Sequence, residues 1–112
     1  MSAARMWRRL VLEAPERIPD GMGGWDVSWA MRGTLWAEMA PRGGARIAEG
    51  GQVLGVQGWR ITLRGVPVAS PRRPRPGDRL REGLRVYVLQ SVAETGPRGR
   101  YLTCLAEEGR PA

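Results

Sequence analysis

Residues 25–31 read Trp-Asp-Val-Ser-Trp-Ala-Met, and this stretch decides the fold class. Apolar side chains at every second position alternate with small or polar ones, which is the pattern of a half-buried β-strand. Residues 20–24, Asp-Gly-Met-Gly-Gly, precede it as a turn, because glycine adopts positive φ without steric cost. We therefore expect the apolar side chains of the strand to share its core-facing side: Trp25, Val27, Trp29 and Met31.

The rest of the chain contains further short stretches of this kind, separated by turn residues. Together they predict six strands, over residues 9–13, 25–31, 34–39, 59–64, 84–92 and 100–107. Short strands at such spacing are typical of a small antiparallel barrel or sandwich. The predicted fold class is all-β with about six to seven strands, as one domain over residues 1–112 with its core in 8–108. We expect these side chains to face inward: Trp25, Trp29, Ile61, Leu63, Val86 and Val88.

Length and composition limit the protein class. A chain of 112 residues fits one domain with one modest core, and five Trp with no Phe predict that Trp supplies its aromatic bulk. The single cysteine, Cys104, cannot form an internal disulfide, so a disulfide-stapled secreted framework is excluded. No apolar run is long enough to cross a bilayer, and no signal-peptide apolar stretch follows the basic N-terminus. A soluble, cytoplasmic protein without membrane contact is expected.

The net charge is +7, and all eighteen basic residues are arginine, which is simplest to explain by a GC-rich genome. Such a charge attracts anions, including nucleic acid and acidic protein surfaces. Arginines concentrate in and just after a Pro/Arg-rich arm, which we define as residues 65–77. Four of them are predicted to contact a neighbouring protein or DNA: Arg72, Arg73, Arg75 and Arg79. The alternative is a solvated loop stiffened by its prolines.

A long glycine-rich segment, residues 41–58, interrupts the strand pattern, and we call it the glycine-rich loop. One helical turn can form over residues 45–49, although flanking glycines disfavour a stable helix. Loops of this length in compact domains are usually functional or disordered, and the apolar residues of this one favour contact with another subunit. Its candidate functional residues are Arg42, Arg46, Ile47, Glu49, Val53, Leu54 and Val56.

Catalytic residues are not apparent in the sequence. The chain has no His, and so no imidazole base or metal ligand. Cys104 lies within a predicted strand, where a small buried apolar side chain is the simpler interpretation. The glycines at 21, 23 and 24 are followed by neither a helix nor the Lys-Ser/Thr of a phosphate loop. We expect no enzymatic activity, no cofactor and no metal.

Several motifs, taken in order and spacing, resemble the tailed-phage head–tail joining proteins. These head-closure, or stopper, proteins also occur in phage-derived gene transfer agents. The resemblance spans residues 9–108, although the segment from 65 to 76 is longer and more basic than expected of the family. The matching motifs are Leu-Val-Leu-Glu at 10–13, Asp-Gly-Met-Gly-Gly-Trp at 20–25, Gly-Thr-Leu-Trp-Ala-Glu at 33–38, Arg-Ile-Thr-Leu-Arg at 60–64 and Pro-Gly-Asp-Arg-Leu at 76–80.

The resemblance implies a structural subunit in the neck of a virion or virus-like particle. Such proteins form rings, with twelve subunits implied, beneath the portal and its adaptor. They join the filled capsid to the tail terminator or tail proteins and help to close the channel that holds packaged double-stranded DNA. On this basis residues 43–58 are expected to project toward the ring axis and narrow the channel. The alternative places the loop on the outer wall, in contact with the adaptor.

Two other functions stay open at this point. One is a small basic β-barrel that binds nucleic acid, which would stack bases on exposed aromatic residues beside arginines and show a steep salt dependence. The alternating face of residues 25–31 predicts buried tryptophans, which disfavours that function. The other is an unrelated β-domain whose charge reflects only genome composition.

Overall fold

The computed structural model of the protein describes residues 6–43, 45–47, 50 and 53–109. Eight strands run through this part of the chain, with one short 3-10 turn at Pro97–Gly99 before the last. The strands are β1 Arg8–Pro19, β2 Trp25–Arg42, β3 Ala45–Ile47, β4 Val53–Gly55, β5 Gly58–Arg64, β6 Arg79–Glu82, β7 Arg85–Thr95 and β8 Tyr101–Gly109.

Six of the strands close an antiparallel barrel in the order β1-β2-β5-β8-β7-β6. The barrel closes where β1 pairs with β6, with Leu12 opposite Leu80. Closure removes the exposed sheet edges through which strands aggregate. The all-β barrel predicted from the strand pattern is confirmed.

The core fills the barrel with aliphatic side chains and one aromatic ring. Ile61 and Leu63 face inward as predicted, and both are fully buried. Val86 is also buried, at 2% exposure, but it pairs with Arg81 on the same face as Val88 and is not part of the core cluster, so its predicted inward orientation is wrong. Tyr87 is the fully buried aromatic residue, and Trp59 is the one tryptophan in the described residues that packs against this core, edge-on to the Tyr87 ring. The buried cluster consists of Leu10, Leu12, Leu35, Ala37, Ile61, Leu63, Leu80, Tyr87, Leu89, Leu102, Cys104 and Ala106.

A β-bulge at Arg32 interrupts the pairing of β1 with β2. Leu12 pairs with Gly33, but the next residue, Glu13, pairs with Met31, so that Arg32 is an extra residue on β2. Because successive side chains in a strand point to opposite faces, one extra residue exchanges the two faces. Leu35 lies in the core beyond the bulge, whereas Met31, opposite the outward-facing Glu13, lies on the outside.

The bulge makes the core prediction for residues 25–31 wrong. Trp25, Val27 and Met31 are 57%, 59% and 70% exposed, and Trp29 is partly buried but lies outside the core cluster. Alternation correctly predicted that these side chains share one face, but it carried no information about which face. Val88, also predicted to face inward, pairs with Arg79 on the outside of the barrel and is 37% exposed.

The glycine-rich loop has more regular structure than the sequence predicted. β3 and β4 pair antiparallel, with Arg46 opposite Leu54 and Ile47 opposite Val53. Residues 45–47 are therefore a strand, and the helical turn considered for residues 45–49 is wrong at these positions. Residues 48 and 49 lie outside the described part of the chain.

Replacing Leu63 and Trp25 by alanine separates the core from the exposed face. We expect Leu63→Ala to lower the free energy of unfolding by about 2–5 kcal/mol, because it leaves a cavity at a fully buried site. Trp25→Ala should cost at most about 1 kcal/mol, since it removes only a surface contact with Arg17. Urea unfolding of the two variants measures the difference, and an equally large loss for Trp25→Ala would contradict the assigned faces.

Candidate functional site

Five exposed large apolar side chains lie on a hairpin that extends beyond the barrel: Ile18, Met22, Trp25, Val27 and Met31. We define this projecting hairpin as residues 14–31, where β1 and β2 continue to pair after β6 has ended its contact with β1. All residues of β1 from Pro15 to Pro19 are exposed, as are all residues of β2 from Trp25 to Ser28. Isolated two-stranded hairpins are marginally stable in water, so this one depends on its root and its turn.

The turn of the hairpin is held by one carboxylate. Asp20 Oδ1 accepts hydrogen bonds from the backbone N–H groups of Met22 and Gly24, at 2.8 and 3.0 Å. Gly21 and Gly23 have φ of 81° and 83°, in the left-handed region that favours glycine. The sequence pattern predicted this turn correctly, and the structure shows that it also orients the strand ends that carry Trp25.

A partly buried charge cluster fixes the root of the hairpin to the barrel. Glu13 Oε1 accepts hydrogen bonds from Arg79 Nε at 2.7 Å and from Arg81 Nε at 3.1 Å. The Arg79 guanidinium also stacks on the Trp29 ring, 4.1 Å from its centre. Arg79 is only 5% exposed, so in the subunit it stabilises the fold and does not offer a contact surface.

The Pro/Arg-rich arm is packed against the barrel. Pro74 is fully buried, and Arg73 Nη1 donates to the Val66 carbonyl at 3.0 Å and to Glu94 Oε1 at 3.2 Å. Arg72 and Arg75 remain exposed, although each donates to a backbone carbonyl, of Thr34 and Val68 respectively. The contact role predicted for Arg72, Arg73 and Arg75 stays a prediction, and the exposed guanidinium groups of Arg72 and Arg75 fit it best.

An open groove of about 610 Å³ lies between β2 and the beginning of the Pro/Arg-rich arm. Its apolar lining comes mainly from Met6, Leu35, Trp36, Val66 and Pro67, and Arg64 and Arg72 add positive charge. Trp36 is 55% exposed here, on the outer side of the barrel wall. The groove can therefore bind apolar side chains that have carboxylates next to them.

The glycine-rich loop begins and ends at a close backbone contact. Arg42, at the end of β2, is opposite Gly58, at the start of β5. A Cβ atom on Gly58 would lie 2.8 Å from the Arg42 carbonyl oxygen, so the pairing requires glycine there. Arg42 is exposed and Val56 is partly buried. Arg46, Ile47, Val53 and Leu54 lie on the paired strands β3 and β4, and Glu49 lies outside the described residues.

Two carboxylates on the barrel wall form strong ion pairs around Trp59. Arg8 donates to both oxygens of Glu82, and this hydrogen bonding holds the pKa of the Glu82 carboxyl below its usual value of 4.5. Arg85 likewise donates to both oxygens of Glu108, at 3.0 and 2.9 Å, which lowers the pKa of that carboxyl. Trp59 Nε1 also donates to Glu108 at 3.0 Å.

The Cys104 thiol and the possible metal ligands are the remaining reactive groups in the described part of the chain. Burial raises the pKa of the Cys104 thiol to about 12, so the thiol is a poor nucleophile. Within residues 6–43, 45–47, 50 and 53–109, no three His, Cys, Asp or Glu side chains are placed to hold a metal ion. No helix in these ranges is long and apolar enough to span a membrane.

Sequence reasoning missed the projecting hairpin and the groove. The available signal for the hairpin was Gly33, which breaks the alternation between residues 31 and 35 at the site of the bulge. The groove had no comparable signal, because it depends on how the Pro/Arg-rich arm folds back over β2.

Comparison with known proteins agrees with this β-barrel. A family model described as phage head completion protein matches residues 1–109. A chain in the solved structure of the virion of a native gene transfer agent particle is 40% identical, with a TM-score of 0.76. That match covers 94% of this chain and 96% of the other. Among curated proteins, none matches.

The ion pairs around Trp59 predict how stability depends on pH. A carboxyl whose pKa is lower in the folded than in the unfolded state stabilises the fold. This stabilisation is complete at pH values above the pKa of the unfolded state, and it is lost as the pH falls through the pKa of the folded state. Glu82→Gln removes this contribution. As the pH falls below the usual glutamate pKa of 4.5, the melting temperature of this variant should therefore fall less than that of the wild type.

Asp78→Asn is the matched control with the opposite sign. Burial raises the pKa of Asp78, so protonating this carboxyl stabilises the folded state as the pH falls. Asp78→Asn removes that gain, and the melting temperature of this variant should therefore fall more steeply in acid than that of the wild type. Melting temperatures of the three proteins between neutral and acid pH measure both effects. Parallel curves for all three would contradict the assigned pKa directions.

Proposed function

We propose a function from one premise: this chain belongs to the phage head completion protein family. It is a structural component of a phage-type particle, in the region where head and tail meet. The observation that carries the proposal is the near full-length likeness, at 40% identity, to a chain of a gene transfer agent virion. We propose that the subunit is a stopper, which joins the portal or its adaptor to the tail.

Assembly into a ring is the second part of the proposal. A closed ring needs two different surfaces on each subunit, which meet head to tail around the rotation axis. The projecting hairpin and the groove are two such surfaces on one small barrel. A ring of twelve, with portal or adaptor on one side and tail terminator or tail proteins on the other, is the arrangement that the family resemblance implies.

Closure of the DNA channel is the third part of the proposal, and the glycine-rich loop, residues 41–58, is the segment that we propose for it. Its strands β3 and β4 lie beyond the end of the β2–β5 pairing and form their own two-stranded sheet. A narrow ribbon of this kind fits near a ring axis, where the space for each subunit is smallest. Arg42 at its base is exposed and can contact DNA phosphates there.

The alternative function, a nucleic-acid-binding module, gains one observation from the structure. Trp25 is exposed beneath Arg17, whose guanidinium lies 5.1 Å from the ring centre, and such pairs can stack bases. The sequence-based reason for discounting this function, burial of Trp25, was wrong. However, residues 14–31 contain three acidic residues and one arginine, and their net charge of −2 repels phosphates. We therefore favour the stopper.

Deleting residues 44–55, with two glycines as a bridge, tests the channel function. We expect heads with this variant to incorporate the protein and form rings, because the barrel strands are intact. They should lose packaged DNA, because the ribbon that narrows the channel is missing. Nuclease-resistant DNA per head measures the loss.

A second variant separates loop length from loop composition. It replaces the same residues by a Gly/Ser sequence of equal length, which keeps the reach of the loop but removes its apolar residues. It should also leak DNA if the ribbon closes the channel by packing copy against copy. Heads with the deletion that attach tails and retain DNA like wild type would overturn the channel assignment.

A further inference from the structure

The projecting hairpin has two chemically different faces. Trp25, Val27 and Met31 form an exposed apolar face. The opposite face has Ile18 paired with Asp26 and Glu16 paired with Ser28, so two carboxylates lie on it. The Glu16 carboxylate also lies 3.6 Å from Arg32 Nη2 of its own chain, as an exposed ion pair. Exposed apolar side chains grouped on one projecting element are characteristic of an interaction site.

Charge is distributed unevenly between the hairpin and the rest of the chain. Residues 14–31 carry a net charge of −2, whereas the whole chain carries +7, so the remainder carries +9. The acidic hairpin therefore complements the body of another copy of the same chain. Complementary charge of this kind favours and orients association.

The groove has the properties needed to receive the hairpin. It is lined by apolar side chains, including Leu35, Trp36 and Val66, and Arg64 and Arg72 supply positive charge. Its volume of about 610 Å³ is within the usual range for binding clefts. Apolar lining with arginines matches the apolar face and carboxylates of the hairpin.

A subunit cannot fill its own groove with its own hairpin tip. Trp25 and Leu35 lie on the same strand, and ten residues of strand at about 3.3 Å each separate them by roughly 30 Å. The two surfaces are thus at different places on one rigid barrel. They can meet only between copies, which gives a head-to-tail contact that closes by rotation.

We propose that the projecting hairpin of one copy inserts edge-on into the groove of the next. Its apolar face, with Trp25, Val27 and Met31, then packs against the apolar lining. Its opposite face, with Glu16 and Asp26, lies near Arg64 and Arg72. This inference rests on the proposed ring and names its contact between subunits. It also explains why a marginal two-stranded hairpin retains an apolar face: assembly covers it.

Cysteine cross-linking in assembled particles tests the contact. Val27→Cys on the hairpin and Pro67→Cys in the groove are combined in one chain. The native Cys104 is buried and stays unreactive. Mild oxidation should give a ladder of dimers, trimers and higher species, whereas each single variant should give no ladder. Unchanged melting temperatures confirm that the variants fold.

Charge reversal on the same background provides a second readout. Glu16→Arg with Asp26→Arg should abolish the ladder, and adding Arg64→Glu should restore it. Particles that contain the protein but give no ladder from the double cysteine variant would overturn the contact. A cross-link from Val27→Cys to a different virion protein would overturn it in favour of that partner. Particles that lack the protein would contradict the proposed function itself, and the inference would fall with it.

Discussion

The extra residue at Arg32 is the constraint on which the surface of this protein depends. One bulged residue exchanges the faces of β2, so that Leu35 and Ala37 fill the barrel while Trp25, Val27 and Met31 lie outside. Without it, the same alternation would continue inward along the whole strand. The bulge thus divides one long strand between two tasks, because the core half stabilises the barrel and the other half presents an apolar face.

Ion pairs and a cation–π contact hold the projecting hairpin on the barrel. Glu13 forms ion pairs with the buried Arg79 and the partly exposed Arg81, and Trp29 stacks on Arg79. These contacts join the root of the hairpin to β6. Breaking such a cluster by removing one partner is costly, since the remaining charge is left buried. The Pro/Arg-rich arm is held in the same way, by arginines that donate to backbone carbonyls. Many of the arginines that give the chain its net charge of +7 therefore also stabilise the fold.

Much of the fold was predictable from the sequence because alternation, glycine turns and strand spacing are local signals. They gave the all-β barrel, the turn at Asp20–Gly24 and the burial of Ile61 and Leu63. They failed for Trp25 because strand alternation groups side chains by face but does not say which face is buried; a bulge decides that. They failed for Arg79 because its burial depends on Glu13, far away in sequence. The groove needs the folded path of the Pro/Arg-rich arm, which no local pattern encodes.

The central claim is that the apolar face of the projecting hairpin is open in the free subunit and covered in the particle. Hydroxyl-radical footprinting measures it directly, because oxidation of Trp25 and Met31 reports their exposure to solvent. Both residues should be oxidised readily in the purified subunit, where they are 57% and 70% exposed, and strongly protected in assembled particles. Equal oxidation of Trp25 and Met31 in both states would contradict the account.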